Sequence, residues 1–133
     1  MKRYLFFIGF LLAGAGISFS RQPGNKIPRQ VLVSAEVMPE FPGGREAMNR
    51  FIARQVKYPR SAIKEEVEGQ VLVRFIVEPD GSVTGYEVLR SLSPDCDKEA
   101  LRVLRKMPRW KPGRHNGAFA AVYMTVPFLF KLN

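Results

Sequence analysis

Two alternating runs joined by a tight-turn tetrapeptide set the architecture of this chain. From Gln70 to Val77, Val71, Val73, Phe75 and Val77 share one face and Gln70, Leu72, Arg74 and Ile76 the other, which is the period of a strand. Pro79-Asp80-Gly81-Ser82 follows, and an Asp-Gly step accepts the positive φ that hairpin turns demand. Val83 to Arg90 then reads as the return strand, with Val83, Val88 and Leu89 apolar and Thr84 and Tyr86 strand-favouring. An isolated hairpin is marginal in water, so the rest of the chain must cover its apolar face.

The covering elements are legible on either side. Arg45 to Val56 has Met48, Phe51, Ile52 and Val56 at helical spacing and stops before Tyr58-Pro59, because proline disfavours helical geometry in the residue ahead of it. Ser61 is expected to cap a short turn of helix from Ala62 to Glu66. Ser93-Pro94-Asp95 opens a second long helix expected to run to Met107, with Ala100, Leu101, Leu104 and Met107 as its apolar stripe. Trp110-Lys111-Pro112-Gly113 is a turn whose aromatic is expected to close the core, and a polar loop is expected through Asn116-Gly117. Phe119 to Phe130 reads as a long final strand with Val122, Met124, Val126, Phe128 and Phe130 on one face. Pro127 lies inside it. Proline cannot donate to a ladder, so this strand is expected at a sheet edge or at a bulge. The elements add up to an α+β fold, a small antiparallel sheet of about three strands with helices packed on one face.

The N-terminus carries a different signal. Lys2 and Arg3 precede an uncharged apolar run from Tyr4 to Phe19, and Ser18-Phe19-Ser20 is a small-x-small site before Arg21, with Ala13-Gly14-Ala15 as a second candidate. This is the layout of a secretory signal peptide. Retained as a helix, the run would span only about 24 Å against a hydrocarbon core of roughly 30 Å, so cleavage is favoured over an anchor. The expected organisation is residues 1–20 as signal peptide or short membrane anchor, 21–37 as linker with a short strand at Val31-Leu32-Val33, and 38–133 as the domain. The linker reaches at most about 60 Å.

The chemistry of catalysis is missing from the pattern. His115 and Cys96 are the only histidine and the only cysteine, too few for a zinc site and without the third orienting group that a thiol nucleophile needs. Gly43-Gly44 lacks the Lys-Ser/Thr of a phosphate loop. One cysteine also precludes an internal disulfide framework, and Cys96 reads as a small buried filler at a helix start. No catalytic residue, metal ligand or cofactor is expected. The formal charge of +9 points to an acidic partner or an anionic surface; nucleic acid is not expected for an exported chain.

Four motifs in order carry a resemblance. They are Tyr58-Pro59 after a helix, Glu68-Gly69-Gln70-Val71 opening the first strand, Asp80-Gly81-Ser82-Val83 at the hairpin, and Trp110-Lys111-Pro112-Gly113 after the second long helix, with a Val126-Pro127-Phe128 ending. From Phe41 to Asn133 the chain resembles the TonB C-terminal domain family, and Phe41-Pro42-Gly43-Gly44 resembles the lead-in of versions from Bacteroidetes-like bacteria. The chain is similar to a short form without the long proline-rich spacer of full TonB proteins.

The resemblance implies a periplasmic binding module that takes an extended peptide of a TonB-dependent outer-membrane receptor as an added strand, supporting energy-dependent transport. It implies inner-membrane motor proteins as further partners if residues 4–19 are retained as a tether. The family motif Gln-Pro-x-Tyr-Pro reads here Gln55-Val56-Lys57-Tyr58-Pro59, so Gln55, Tyr58 and Pro59 are candidate partner-binding residues, with Val56 in place of the first proline. Val122, Tyr123, Met124, Thr125 and Val126 are the candidate edge. An exposed edge would also accept its own copy, so a strand-paired homodimer is open to the same surface. The alternative is an envelope-associated structural or adaptor module without energy coupling, using the basic cluster Arg102, Arg105, Lys106, Arg109, Lys111 and Arg114. The docking expectation requires an unoccupied outer rim on the last strand.

Overall fold

The computed structural model describes residues 29–133; the expected signal peptide or anchor and the first part of the expected linker lie outside the described residues. The hairpin forms where the alternation places it. β1 (Gly69–Val77) pairs antiparallel with β2 (Val83–Arg90), and the turn is closed by Glu78 N–H to Ser82 O and Gly81 N–H to Glu78 O, both 2.8 Å. The Asp80 carboxylate accepts from the Ser82 hydroxyl and backbone N–H, an Asx-type contact that fixes the turn locally. Those bonds, with Arg109 alongside, hold the Asp80 carboxyl at about 2, below the usual carboxylate range.

β1 is the centre of the sheet. Its other neighbour is β5 (Val122–Phe130), antiparallel over an unbroken register from Gly69↔Phe130 to Val77↔Val122, giving the order β2-β1-β5. The β1–β2 ladder carries two register shifts, whereas β1–β5 carries none. Val71, Val73, Phe75 and Val77 are fully buried toward the helices, joined from β5 by Val122, Val126, Phe128 and Phe130. Each such side chain stabilises the fold by roughly 1.5–3 kcal/mol relative to exposure.

Helix α1 covers Gly44–Gln55, α2 Arg60–Lys64 and α3 Pro94–Arg105. Ser93 caps α3 by accepting from the Cys96 N–H, with Pro94 in the first turn, where its missing donor costs nothing. Cys96, Ala100, Val103 and Leu104 are the buried residues of α3. The expected stripe is therefore rotated: Val103 and Cys96 enter it, while Leu101 and Met107 flank the core. The helix also ends two residues early. Lys106 and Met107 make 3₁₀-type bonds to Val103 and Leu104, as the residue before Pro108 is driven out of α geometry.

Three further expectations are corrected. Ser61 does not cap α2: the helix begins two residues earlier than expected, at Arg60 behind Pro59 with no side-chain cap, and the Ser61 hydroxyl donates to the Asp95 carboxylate of α3. The expected polar loop is a hairpin, β3 (Gly113–His115) paired with β4 (Ala118–Ala120). Its turn residues Asn116 and Gly117 both have positive φ, 52° and 77°, the geometry that Asn-Gly supplies to a two-residue connection. The last strand consequently begins at Val122 rather than Phe119. Finally, Val31-Leu32-Val33 is not a strand but a single parallel bridge, Leu32↔Val122.

Residues 29–40 form a strap ahead of α1. Its second half is tied down by paired backbone bonds, Val37 with Arg114 and Glu40 with Lys111 (2.7–3.0 Å). Phe41, buried, then inserts between Phe51 of α1 and the indole of Trp110, with ring centroids 5.6 and 5.7 Å away. Trp110 also meets Phe75 edge-on at 5.4 Å and is 5% exposed, as its expected role of closing the core requires.

Candidate functional site

The site follows from which way the backbone of β5 points. The Tyr123 N–H donates to Leu32 O (2.8 Å), on the side away from β1. Main-chain groups alternate along a strand, so those of Thr125, Pro127 and Leu129 face outward too. No hydrogen bond to these outward groups is present among the described residues. Pro127 sits in the outward set, opposite Leu72, so its missing donor leaves the β1–β5 ladder intact. This is the edge position that the sequence pattern requires of it. Thr125, Pro127 and Leu129 are exposed, Leu129 at 70%.

Beside this rim lies a cavity of about 520 Å³. Met124, Thr125, Val126 and Pro127 form one wall, and Arg45, Met48 and Asn49 of α1 the other; Pro39, Glu40, Phe41 and Trp110 close one end. The glycine pair leads the chain into α1, with Gly43 at its N-cap. Gly43, at φ +87°, lies so close to α1 that a Cβ there would stand 2.8 Å from the Ala47 Cβ. Charge is mixed at the mouth, where Lys111 lies 3.8 Å from Glu40.

The candidate residues divide into two groups. Met124, Thr125 and Val126 line the groove. Val122 is fully buried and faces the core, while Tyr123 has its outward N–H bonded to Leu32 and its ring beneath the Arg74 guanidinium, 4.3 Å away. Gln55, Tyr58 and Pro59 lie at the other end of β5. The Tyr58 ring meets Phe130 edge-on at 5.4 Å and its hydroxyl donates to Val67 O; burial pushes the phenol pKa up, with Glu68 adding to it. The Gln55 carbonyl accepts from Arg102 (2.7 Å), whose guanidinium also grips Glu99, and Glu99 accepts from the Lys57 N–H. The Arg102 contact, then the Lys57 N–H, hold the Glu99 carboxyl below its ordinary pKa. Arg102 is thus a clamp between α3 and the end of α1.

Sequence reasoning missed Arg45, Met48 and Asn49 as groove wall and Leu32 as cover of the rim. Arg45 and Asn49 are exposed and lie off the apolar stripe of α1, whereas Met48 belongs to that stripe and packs against the core; only the Phe41-Pro42-Gly43-Gly44 lead-in hinted that this end of the helix is special. No group of three or more metal-ligating side chains occurs among the described residues, and no helix among them is long and apolar enough to cross a membrane.

A three-stranded antiparallel sheet, helices on one face and an unpaired last strand beside a groove define a class of small α+β domains. Residues 54–132 match the family model described as Gram-negative bacterial TonB protein C-terminal, and the chain belongs to that family. Among curated relatives, Protein TonB of Escherichia coli is 30% identical over 90 residues, covering 68% of this chain and 34% of the relative. Protein TonB of Xanthomonas campestris is 35% identical over 78 residues, covering 58% and 34%. The chain spans about a third of the length of these relatives. The solution structure of the TonB-CTD of Helicobacter pylori shares the fold at a TM-score of 0.50 and 23% identity, covering 65% of this chain and 90% of that one.

Proposed function

We propose that this chain is a periplasmic binding module of outer-membrane transport that holds an extended segment of a TonB-dependent receptor as a fourth strand along β5. The carrying observation is the run of unpaired outward groups at Thr125, Pro127 and Leu129 beside the groove. An added strand would satisfy those groups from its own backbone, while alternate side chains enter the space between β5 and α1. Gln55, Tyr58 and Pro59 are proposed as a secondary contact at the far end, with Tyr58 chiefly shaping the surface from its seat on Phe130. Function here is binding, without a catalytic step, metal or cofactor. Coupling to inner-membrane motor proteins, and a tether through residues 4–19, belong to the same proposal.

The adaptor reading that uses the basic cluster is weaker. Arg102 pairs with Glu99, Arg109 with Asp80 and Lys111 with Glu40, so half of the proposed cationic face is internally neutralised.

The test is amide-shift mapping with a peptide of alternating valine and threonine and with peptides from receptor N-terminal segments. The expected outcome is perturbation of Thr125 and Leu129, lost when the peptide's alternate residues are replaced by proline. Perturbation centred on α3, abolished by salt, would instead favour the basic-face reading.

A further inference from the structure

The strap that precedes α1 ends its hold on the sheet in an uneven way. From Glu36 to Glu40 it is fastened by four backbone hydrogen bonds to Arg114 and Lys111 and by side-chain bonds of Glu36 and His115. Upstream, among the described residues, the backbone is held at one residue alone: Leu32 donates to Ala121 O (2.9 Å) and accepts from Tyr123 N–H (2.8 Å). Between the two fastenings Val33 is 78% exposed. The remaining described tie is the bidentate Arg29–Glu78 ion pair, in which the arginine side chain is 56% exposed and the glutamate, also bonded by Thr84, 15%, so that solvent weakens it from the arginine side only. Leu32 covers the same outward line of β5 that runs open from Thr125 onward.

We propose that residues 29–33 are a displaceable cover over the first part of the guest site, so that a long guest strand competes with Leu32 for Ala121 O and Tyr123 N–H. This inference rests on the strand-docking reading. With Leu32 seated, the rim offers outward donors at Thr125 and Leu129. With Leu32 released, Tyr123 joins them and Ala121 adds an acceptor. The hinge is the unbonded stretch between Leu32 and Glu36, and the anchored part downstream keeps Phe41 and the groove in place while the upstream part moves. Access to the full site then depends on whatever acts on the chain ahead of Arg29.

The experiment uses the full chain carrying Leu32→Cys with Val122→Cys. Bridge partners lie at a separation that a disulfide can span, and Cys96 is fully buried. The oxidised form holds the cover shut and the reduced form of the same molecule is its control. Leu32→Pro, which removes the donor to Ala121, is the opposite variant. The probes are fluorescein-labelled peptides of alternating valine and threonine. A long one, about nine residues, can pair from Ala121 to Leu129; a short one, about five, reaches only Thr125 to Leu129.

Oxidation is expected to weaken the long peptide about ten-fold, Leu32→Pro to strengthen it several-fold, and the short peptide to be indifferent. Equal affinity of the long peptide for all forms overturns the inference and leaves strand docking standing. Binding of neither peptide to any form overturns both. Hydrogen exchange supplies an independent reading: Tyr123, bonded to Leu32, should exchange faster than Met124, whose N–H faces β1. Equal rates for the two amides also overturn the proposal.

Discussion

Trp110 and Gly81 lock the hairpin turn to the end of the second long helix. The Trp110 N–H donates to Gly81 O at 2.8 Å, and a Cβ at position 81 would lie 2.2 Å from Trp110 O, at a φ of +89°. Neither the backbone nor the contact leaves room for a side chain. Gly81→Ala is expected to destabilise the fold by about 2–3 kcal/mol, read as a lower urea midpoint at unchanged slope. A loss under about 0.5 kcal/mol, the scatter of ordinary surface changes, would mean that the turn relaxes away from Trp110.

The aromatic cluster of Phe41, Phe51, Phe75 and Trp110 ties the strap, α1 and the sheet together. Trp110→Ala should cost about 3–5 kcal/mol and, because Trp110 lines the groove end, should weaken peptide binding as well. Leu104→Ala, buried on α3 and outside the groove lining, should cost about 2–5 kcal/mol and leave peptide affinity largely unchanged in the folded fraction. Parallel losses of affinity in both variants would detach the groove from the site.

Pro127 subtracts one outward donor from the rim. Pro127→Ala restores it, and one more backbone hydrogen bond at about 1 kcal/mol should tighten the alternating valine–threonine peptide by roughly five-fold. The same change should raise self-association, since a continuous edge is a better template for a second copy. Sedimentation and peptide titration on the same sample check both; tighter self-association without tighter peptide binding would place the guest elsewhere.

Acid sensitivity has a named contributor. The Asp80 carboxyl sits at about 2 in the folded chain against an ordinary value of 3.8. A depressed folded pKa stabilises the fold above the unfolded value, and that contribution is lost as pH falls from about 4 toward 2. Asp80→Asn should therefore lower the melting temperature at neutral pH and converge with the parent below pH of about 2. A constant gap across the whole range would assign the effect to shape rather than charge.

Much of this arrangement was legible in the chain because its signals are local. The alternation of β1, the Asp-Gly turn and the Ser93-Pro94 helix start each need only their neighbours to act, and Pro127 alone announces an edge. What escaped depends on partners far away in sequence. The rotation of α3 that buries Val103 is decided by the sheet beneath it. Arg102 reads in sequence as one member of a basic cluster and is instead a clamp, because Glu99 and the Gln55 carbonyl arrive together only after folding. Leu32 covering Tyr123 joins residues near opposite ends of the sequence, beyond any periodicity argument. The Asn116-Gly117 hairpin was readable in principle, but its flanking strands are three residues each, too short to show alternation.

The unbroken pairing of β5 with β1 has a mechanical consequence. A tug along a strand docked on β5 loads both seams in shear, and the inner one is nine residues long with no register shift. The outer one would have donors from β5 only at Thr125 and Leu129, about 13 Å apart, with a missing stitch at Pro127. Under tension such a docked strand would slip before the inner seam parts, and the domain would stay folded.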